Sequence, residues 1–251
     1  MTRLVRAEWT KLLTTRVWIG LLLGACVLSS AFAALFIAFA GSADSGIPPV
    51  GSELFEELAL ATPANVTVLT LVLGVIGTTQ EYRHRTATPT FLTTPRRWRV
   101  VVAKLVAYAL AAVPFALAVL AVTTAVVVVY AGARGAAPSL SSDNLGVLAR
   151  AGLALVVYTV IGVGVGALVR NQVGAIVGAL VYLFVVEAVI RQVPATSGAY
   201  RWLPGGALEA MTATFRGPDL LTAWQGGLLL LGYGLAAALL GTVLAVRRDV
   251  V

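Results

Sequence analysis

The chain has 251 residues, of which 59% are apolar and only 12% are charged. Soluble domains carry about 45–50% apolar and about 25% charged residues, so this chain has too little charge to cover a soluble surface. The same composition excludes disordered, collagen-like and disulfide-scaffold proteins. The single cysteine, Cys26, allows no internal disulfide and no thiolate zinc site. The sequence therefore predicts an all-α polytopic membrane protein.

Six long apolar runs predict six transmembrane helices, because a helix needs about 20 residues to cross the hydrocarbon core. The predicted spans are residues 17–40, 63–79, 105–130, 151–169, 173–190 and 224–246. Only residues 170–172 separate the fourth span from the fifth, which predicts a tight helical hairpin. The spans and their connections occupy residues 1–251 as a single transmembrane domain.

The distribution of Lys and Arg predicts the orientation of the chain. With six spans, the side of the termini holds 13 Lys and Arg residues against three Asp and Glu, and the opposite side holds five against eight. Because cytoplasmic loops carry the positive excess, both termini are predicted to be cytoplasmic. The formal net charge of +7 then reflects topology and does not indicate nucleic acid binding.

Residues 1–16 predict an amphipathic helix that lies in the membrane interface. Its apolar face is formed by Val5, Trp9, Leu12 and Leu13. Its other flank carries basic residues that are predicted to face lipid headgroups, namely Arg3, Arg6 and Lys11. These residues could also serve only to anchor the orientation of the chain, and the two interpretations are compatible.

Residues 80–104, between the second and third spans, form the longest and most charged cytoplasmic connection. Thr-Pro pairs at 88–89 and 94–95 are typical of helix starts, which predicts a short helical piece near 90–92 and a new helix from residue 95. If that helix runs to residue 130 it is about 54 Å long, well beyond a hydrocarbon core of about 30 Å. Its first turns should project into the cytoplasm as a docking surface, unless the segment is merely a solvated basic loop.

The residues around this connection resemble a known family pattern. The matching residues are Glu81, Tyr82, Arg83, Thr86, Thr90, Leu92, Pro95, Arg99 and Lys104. They are similar to the segment after the second span in permeases of bacterial ATP-binding-cassette exporters, of the type-two drug, polysaccharide and lipid export class. Further similarities to that family lie at residues 4–18, 170–172, 200–206 and 247–250.

The resemblance implies a permease subunit in the bacterial plasma membrane, which works with a second permease copy and two copies of a cognate ATPase. ATP and Mg²⁺ would bind to that ATPase, and segment 80–104 would be the coupling helix seated in its groove. The coupling residues implied are Glu81, Tyr82, Arg83, Thr86, Thr90, Phe91, Leu92 and Arg99.

The sequence itself contains no phosphate-binding loop of the form G-x-x-x-x-G-K-[ST]. Its two lysines are Lys11 and Lys104, and neither follows a glycine. The chain is therefore expected to bind no nucleotide cofactor and to have no catalytic residues of its own.

Glu187 is the only acidic residue within a predicted span. A carboxylate at that depth should face protein or water, either on the substrate path as an outer gate or proton-coupled site, or in a structural ion pair at the interface, where Arg191 and Arg150 lie nearby. In related exporters the second and fifth spans line the pathway, so Asn65, Thr67 and Thr70 are candidate substrate contacts. Their polar groups could instead bond to helix backbone.

Two segments are predicted to lie outside the membrane. In residues 41–62, Ser52 is positioned to cap a short helix with acidic residues in its first turn. Residues 192–222 are apolar but interrupted by three prolines, so they could dip into the bilayer without crossing it.

Two other classes of membrane protein would show different sequence patterns from an ATP-driven permease. A self-sufficient secondary transporter or channel would need a coupling-ion site or inverted repeats. An intramembrane enzyme would need paired acids, a Ser/His pair or metal ligands at membrane depth. The sequence shows none of these patterns.

Cysteine labelling tests the predicted topology. In a background without Cys26, cysteines at three outer positions should react with an impermeant reagent from outside: Ser52, Ser141 and Ser197. Cysteines at three cytoplasmic positions should stay unlabelled in intact cells: Thr2, Thr93 and Val251. Labelling at Thr93 from outside would contradict both the six-span topology and the coupling assignment.

Overall fold

The computed structural model describes residues 1–42, 45–84, 86, 97–139, 141–212 and 220–247. Within these residues all regular secondary structure is helical, and six helical runs are long and apolar enough to cross a membrane. The predicted all-α fold with six spans is therefore confirmed.

The helices follow one another in chain order as α1 (Thr2–Thr14), α2 (Val17–Ala38), α3 (Glu53–Ala61), a 3₁₀ turn (Thr62–Val66), α4 (Thr67–Arg83), α5 (Arg97–Ala133), α6 (Ser142–Val169), α7 (Gln172–Val181), a π-helical segment (Tyr182–Val186), α8 (Glu187–Gln192), α9 (Ser197–Tyr200), α10 (Pro204–Thr212) and α11 (Ala223–Arg247). The six candidate spans are α2, the run from α3 to α4, α5, α6, the run from α7 to α8, and α11.

The second span begins earlier than the predicted start at residue 63. One helical run of 31 residues extends from Glu53 to Arg83. Ser52 caps it as predicted, since its hydroxyl oxygen accepts a hydrogen bond from the backbone N–H of Phe55 at 3.2 Å. Pro63 does not begin this helix but lies in the first turn of the 3₁₀ segment, a position where its missing N–H costs no hydrogen bond.

The third span is a single long helix. α5 has 37 residues, about 55 Å at 1.5 Å per residue, so it is longer than a hydrocarbon core of about 30 Å. The predicted helical piece near 90–92 and the predicted helix start at residue 95 lie outside the described residues.

Helix α6 lies at the centre of the packing and contacts α4, α5 and α11. Glycines bring α6 and α4 together at backbone distance, since a Cβ on Gly162 would collide with the carbonyl of Leu71 and one on Gly74 with the carbonyl of Thr159. The hydroxyl of Thr78 also donates to a backbone carbonyl of α6 at 3.2 Å. Small residues thus allow the close contact that membrane helices use for association.

Replacement of Gly162 by Ala should lower the apparent unfolding temperature of the purified protein, because the new methyl group overpacks the contact with α4 by about 1–3 kcal/mol. Gly20→Ala is the matched control, since a Cβ on Gly20 meets no atom within 4 Å. The control should keep or slightly raise the unfolding temperature. Equal behaviour of the two variants would contradict the close packing of α4 on α6.

Candidate functional site

Four charged side chains meet where α1 packs beside the end of α4 and the start of α5. We call Glu8, Lys11, Glu81 and Lys104 the Glu–Lys cluster. Lys11 Nζ lies 2.7 Å from Glu8 Oε1 and 2.6 Å from Glu81 Oε1. Lys104 Nζ bonds to Glu8 Oε2 and lies 3.0 Å from Glu81 Oε1. Two carboxylates and two ammonium groups form an electrically balanced unit that joins three helices.

Lys104 is the more deeply buried of the two lysines, with only 3% of its surface exposed. Besides its two carboxylate partners, it donates to the carbonyl oxygen of Gly77 at 3.2 Å. All three donors of the ammonium group are therefore used. A buried charge is tolerated when it is paired and fully hydrogen-bonded, and the cluster meets both conditions for Lys104.

Lys11 closes the cluster from its more exposed side, with 37% of the side chain accessible. Burial lowers the pKa of Lys11, but the hydrogen bonds and negative charges of Glu8 and Glu81 outweigh that effect and raise the pKa above its ordinary value. The prediction that Lys11 faces lipid headgroups is wrong, because Glu8 lies three residues away on the same side of α1 and draws the ammonium group inward.

Helical spacing explains why these charges reach the interior. Glu8 lies four residues before buried Leu12, so it shares the inward face of α1. Lys104 similarly precedes buried Tyr108 by one turn of α5. On α4, a Cβ at Gly77 would collide with the Tyr108 ring, so glycine allows the two helices to approach.

Sequence reasoning missed Glu8, Lys11 and Lys104 as site residues. A usable signal was present, because Glu8 falls on the apolar face of α1 and the chain has only these two lysines. Glu81, which the resemblance did single out, is 4% exposed and lies between both lysines.

The turn between α6 and α7 contacts the end of α4 from another side. The Arg170 guanidinium lies over the Tyr82 ring, 5.6 Å from its centroid, and Arg83 Nη1 donates to Gln172 Oε1 at 3.4 Å. Arg170 ends α6 in the left-handed region with φ 56°, and the Asn171 side chain caps α7. The predicted tight hairpin is present, and it packs against two of the predicted coupling residues.

The other predicted coupling residues are divided between described and undescribed parts of the chain. The backbone N–H of Thr86 donates to the carbonyl oxygen of Glu81 at 2.9 Å, so Thr86 lies against the last turn of α4. Arg99 lies over the ring of Trp98 at 5.5 Å. Three residues lie outside the described part of the chain: Thr90, Phe91 and Leu92.

A cavity of about 200 Å³ lies far from the Glu–Lys cluster, at the other end of α4. It is bordered by the 3₁₀ turn, α4, α6, the fifth span, α9 and α10. Its polar and charged lining residues are Asn65, Thr67, Tyr158, Glu187, Tyr200 and Glu209. We call this space the Glu187 cavity.

Glu187 is 3% exposed and is held by the first turn of α10. Its Oε2 accepts a hydrogen bond from the backbone N–H of Gly205 at 2.8 Å, at a helix N-terminus that favours negative charge. The Tyr182 side chain approaches the same carboxylate. Oε1 is buried and has no hydrogen-bond partner of good geometry among the described residues.

The salt bridge of Arg191 goes to Glu209, at 2.7 Å, and its guanidinium lies over the Tyr200 ring at 5.4 Å. Arg191, one of the two arginines expected near Glu187, thus pairs with Glu209 instead. Burial raises the pKa of Glu209, although Arg191 opposes the shift. Burial and the nearby Glu209 charge raise the pKa of Tyr200.

The predicted substrate contacts on the second span differ in their surroundings. Asn65 is exposed and lines the Glu187 cavity, and Thr67 is buried in its wall. Thr70 is fully buried, and its hydroxyl donates to the backbone oxygen of Thr67 at 2.8 Å. For Thr70 the alternative of a backbone-bonded hydroxyl therefore describes the structure.

A family model described as "ABC-2 family transporter protein" matches residues 4–186, which include the whole Glu–Lys cluster. The chain belongs to the ABC-2 family. This membership makes it a multi-pass transport permease and not a catalytic domain. No curated protein matches the sequence.

Two lysine variants of the ABC-2 permease test the cluster. Lys104→Met should lower stability by about 3–5 kcal/mol, because two buried carboxylates then share one partly exposed partner. Lys11→Met removes the same group from a more accessible position and should cost less. Thermal unfolding of both variants in the same detergent measures the order, and a larger loss for Lys11→Met would contradict the cluster geometry.

Proposed function

We propose that this ABC-2 permease is the transmembrane subunit of an ATP-driven exporter in the bacterial plasma membrane, with both termini in the cytoplasm. Two copies of the permease would form the substrate pathway and would bind two copies of a separate ATPase, which holds ATP and Mg²⁺. The observation that carries this proposal is the Glu–Lys cluster, which lies beside the segment implied to contact the ATPase.

The cluster fastens both helices that flank this segment. Glu81 lies in the last turn of α4, and Lys104 lies in the third turn of α5. The two helices that flank residues 84–96 are therefore joined to each other through the same buried unit. A displacement of that segment would move α1, α4 and α5 together, which is what transmission from a docked ATPase to the spans requires.

A separate ATPase is proposed as the source of energy because the sequence contains no phosphate-binding loop. The full sequence has no phosphate-binding loop, and both of its lysines belong to the cluster. In the proposed mechanism, ATP closes the ATPase pair, and this closure favours one of two packings of the permease pair. The outward-facing packing would then release the substrate.

Reconstitution distinguishes this function from that of a secondary transporter. The purified permease should hydrolyse no ATP, and co-expression with its cognate ATPase should give a complex with equal numbers of both subunits. Liposomes that contain the complex should transport substrate only when ATP is present on the side of the membrane that carries the ATPase subunits. Substrate movement by the permease alone, driven by an ion gradient, would refute the proposal.

Phe91→Ala tests docking of the connection on the ATPase. Loss of one aromatic side chain from a central contact should weaken the complex by about 2 kcal/mol or more. Phe39→Ala is the matched control, since Phe39 is 56% exposed at the far end of α2. Complex yield and ATP-dependent transport should fall for Phe91→Ala alone, whereas unchanged values for both variants would contradict docking at this segment.

A further inference from the structure

The Glu187 cavity contains more negative than positive charge. Two carboxylates line it, Glu187 and Glu209, and Arg191 pairs with Glu209. The described residues that line the cavity include no Lys, Arg or His. Glu187 Oε2 is occupied by Gly205, whereas Oε1 is buried without a hydrogen-bond partner of good geometry in the described part of the chain. A cationic donor in the cavity would give Glu187 Oε1 a partner, and Glu209 Oε2 is a second buried acceptor there.

The remaining walls suit an organic cation better than a metal ion. Tyr158, Phe184 and Tyr200 line the cavity, and aromatic rings attract cations at their faces. The Tyr200 ring already contacts a guanidinium group. Divalent metals require several oxygen or nitrogen ligands, and the described residues contain no group of three or more His, Cys, Asp or Glu side chains that could hold a metal ion.

The size of the cavity restricts what part of a molecule it can hold. A volume of about 200 Å³ corresponds to roughly six or seven waters at about 30 Å³ each, below the roughly 300–1,000 Å³ of pockets for drug-sized ligands. It therefore fits a headgroup. Phe184, on its border, is 64% exposed on the surface of the fifth span, so an apolar tail attached to that headgroup would lie along this apolar surface.

We propose that the Glu187 cavity binds the protonated amine headgroup of an amphiphilic organic cation, with Glu187 Oε1 as hydrogen-bond acceptor and counter-ion. The inference rests on the proposed export function only for the further step that the bound amine is the exported substrate.

Calorimetric titration of the permease alone, in lipid nanodiscs at neutral pH, tests the inference. The probes are 4-phenylbutylamine, which is protonated at that pH, and its neutral counterpart 4-phenylbutanol. The amine should bind at least tenfold more tightly than the alcohol. Equal binding of both probes, or binding of neither, would overturn the proposal.

Two variants assign binding to Glu187. Glu187→Gln keeps the shape and the acceptor for Gly205 but removes the charge, and it should weaken amine binding at least tenfold. Glu53→Gln, at an exposed acid outside this cavity, is the matched control and should bind the amine as the unaltered protein does. Unchanged affinity in Glu187→Gln would overturn the proposal.

A third variant keeps the test valid if Glu187→Gln folds poorly. Asn65→Lys places a tethered ammonium group at the exposed border of the cavity, and it should abolish amine binding while the unfolding temperature is kept or raised. Full amine binding by this variant would overturn the inference. Since these titrations omit the ATPase, a negative result with normal ATPase complexes refutes the amine site alone, and amine binding without such complexes refutes the export mechanism alone.

Discussion

Glu8 and Glu81 can remain buried as charged groups only while Lys11 and Lys104 stay beside them. Removal of either lysine leaves an uncompensated charge in a place that water barely reaches, which is the costly case for a buried ion pair. The arrangement therefore fixes the distances among α1, α4 and α5. It also gives the N-terminal helix a structural role in the bundle, beyond any contact of its basic flank with lipid headgroups.

The far end of the bundle depends on a different kind of restraint. There α10 is bound to the spans by hydrogen bonds that involve its own backbone, since the Tyr158 hydroxyl donates to the carbonyl of Pro204 and Gly205 donates to Glu187. These bonds position a helix over the cavity without a balanced set of charges. The Glu–Lys cluster thus has equal numbers of positive and negative charges. At the other end of the bundle, Glu187 Oε1 remains available as a hydrogen-bond acceptor.

The fold was largely predictable because apolar runs and the Lys and Arg asymmetry report directly on membrane spans. The start of the second span was not predictable from Pro63. A proline in the first turn of a 3₁₀ segment allows the helical run to continue through it. The cluster was not predicted because Lys11 was interpreted as part of a basic flank that faces lipid headgroups, and Lys104 only as part of the family pattern. The π-helical segment before Glu187 contains no Gly or Pro that would mark it, and the contact of Arg191 with Glu209 depends on tertiary structure.

The run from α3 to α4 carries Asn65 at the cavity and Glu81 in the cluster, 16 residues apart along one helical element and about 24 Å by helical rise. A ligand at one end and an ATPase at the other would therefore both contact the same helical run. Thermodynamic linkage is reciprocal: if the docked ATPase changes the affinity for the ligand by some factor, the ligand changes the affinity for the ATPase by that same factor. In the proposed exporter, an occupied cavity would then change the affinity between permease and ATPase, so that the ligand would regulate assembly of the complex.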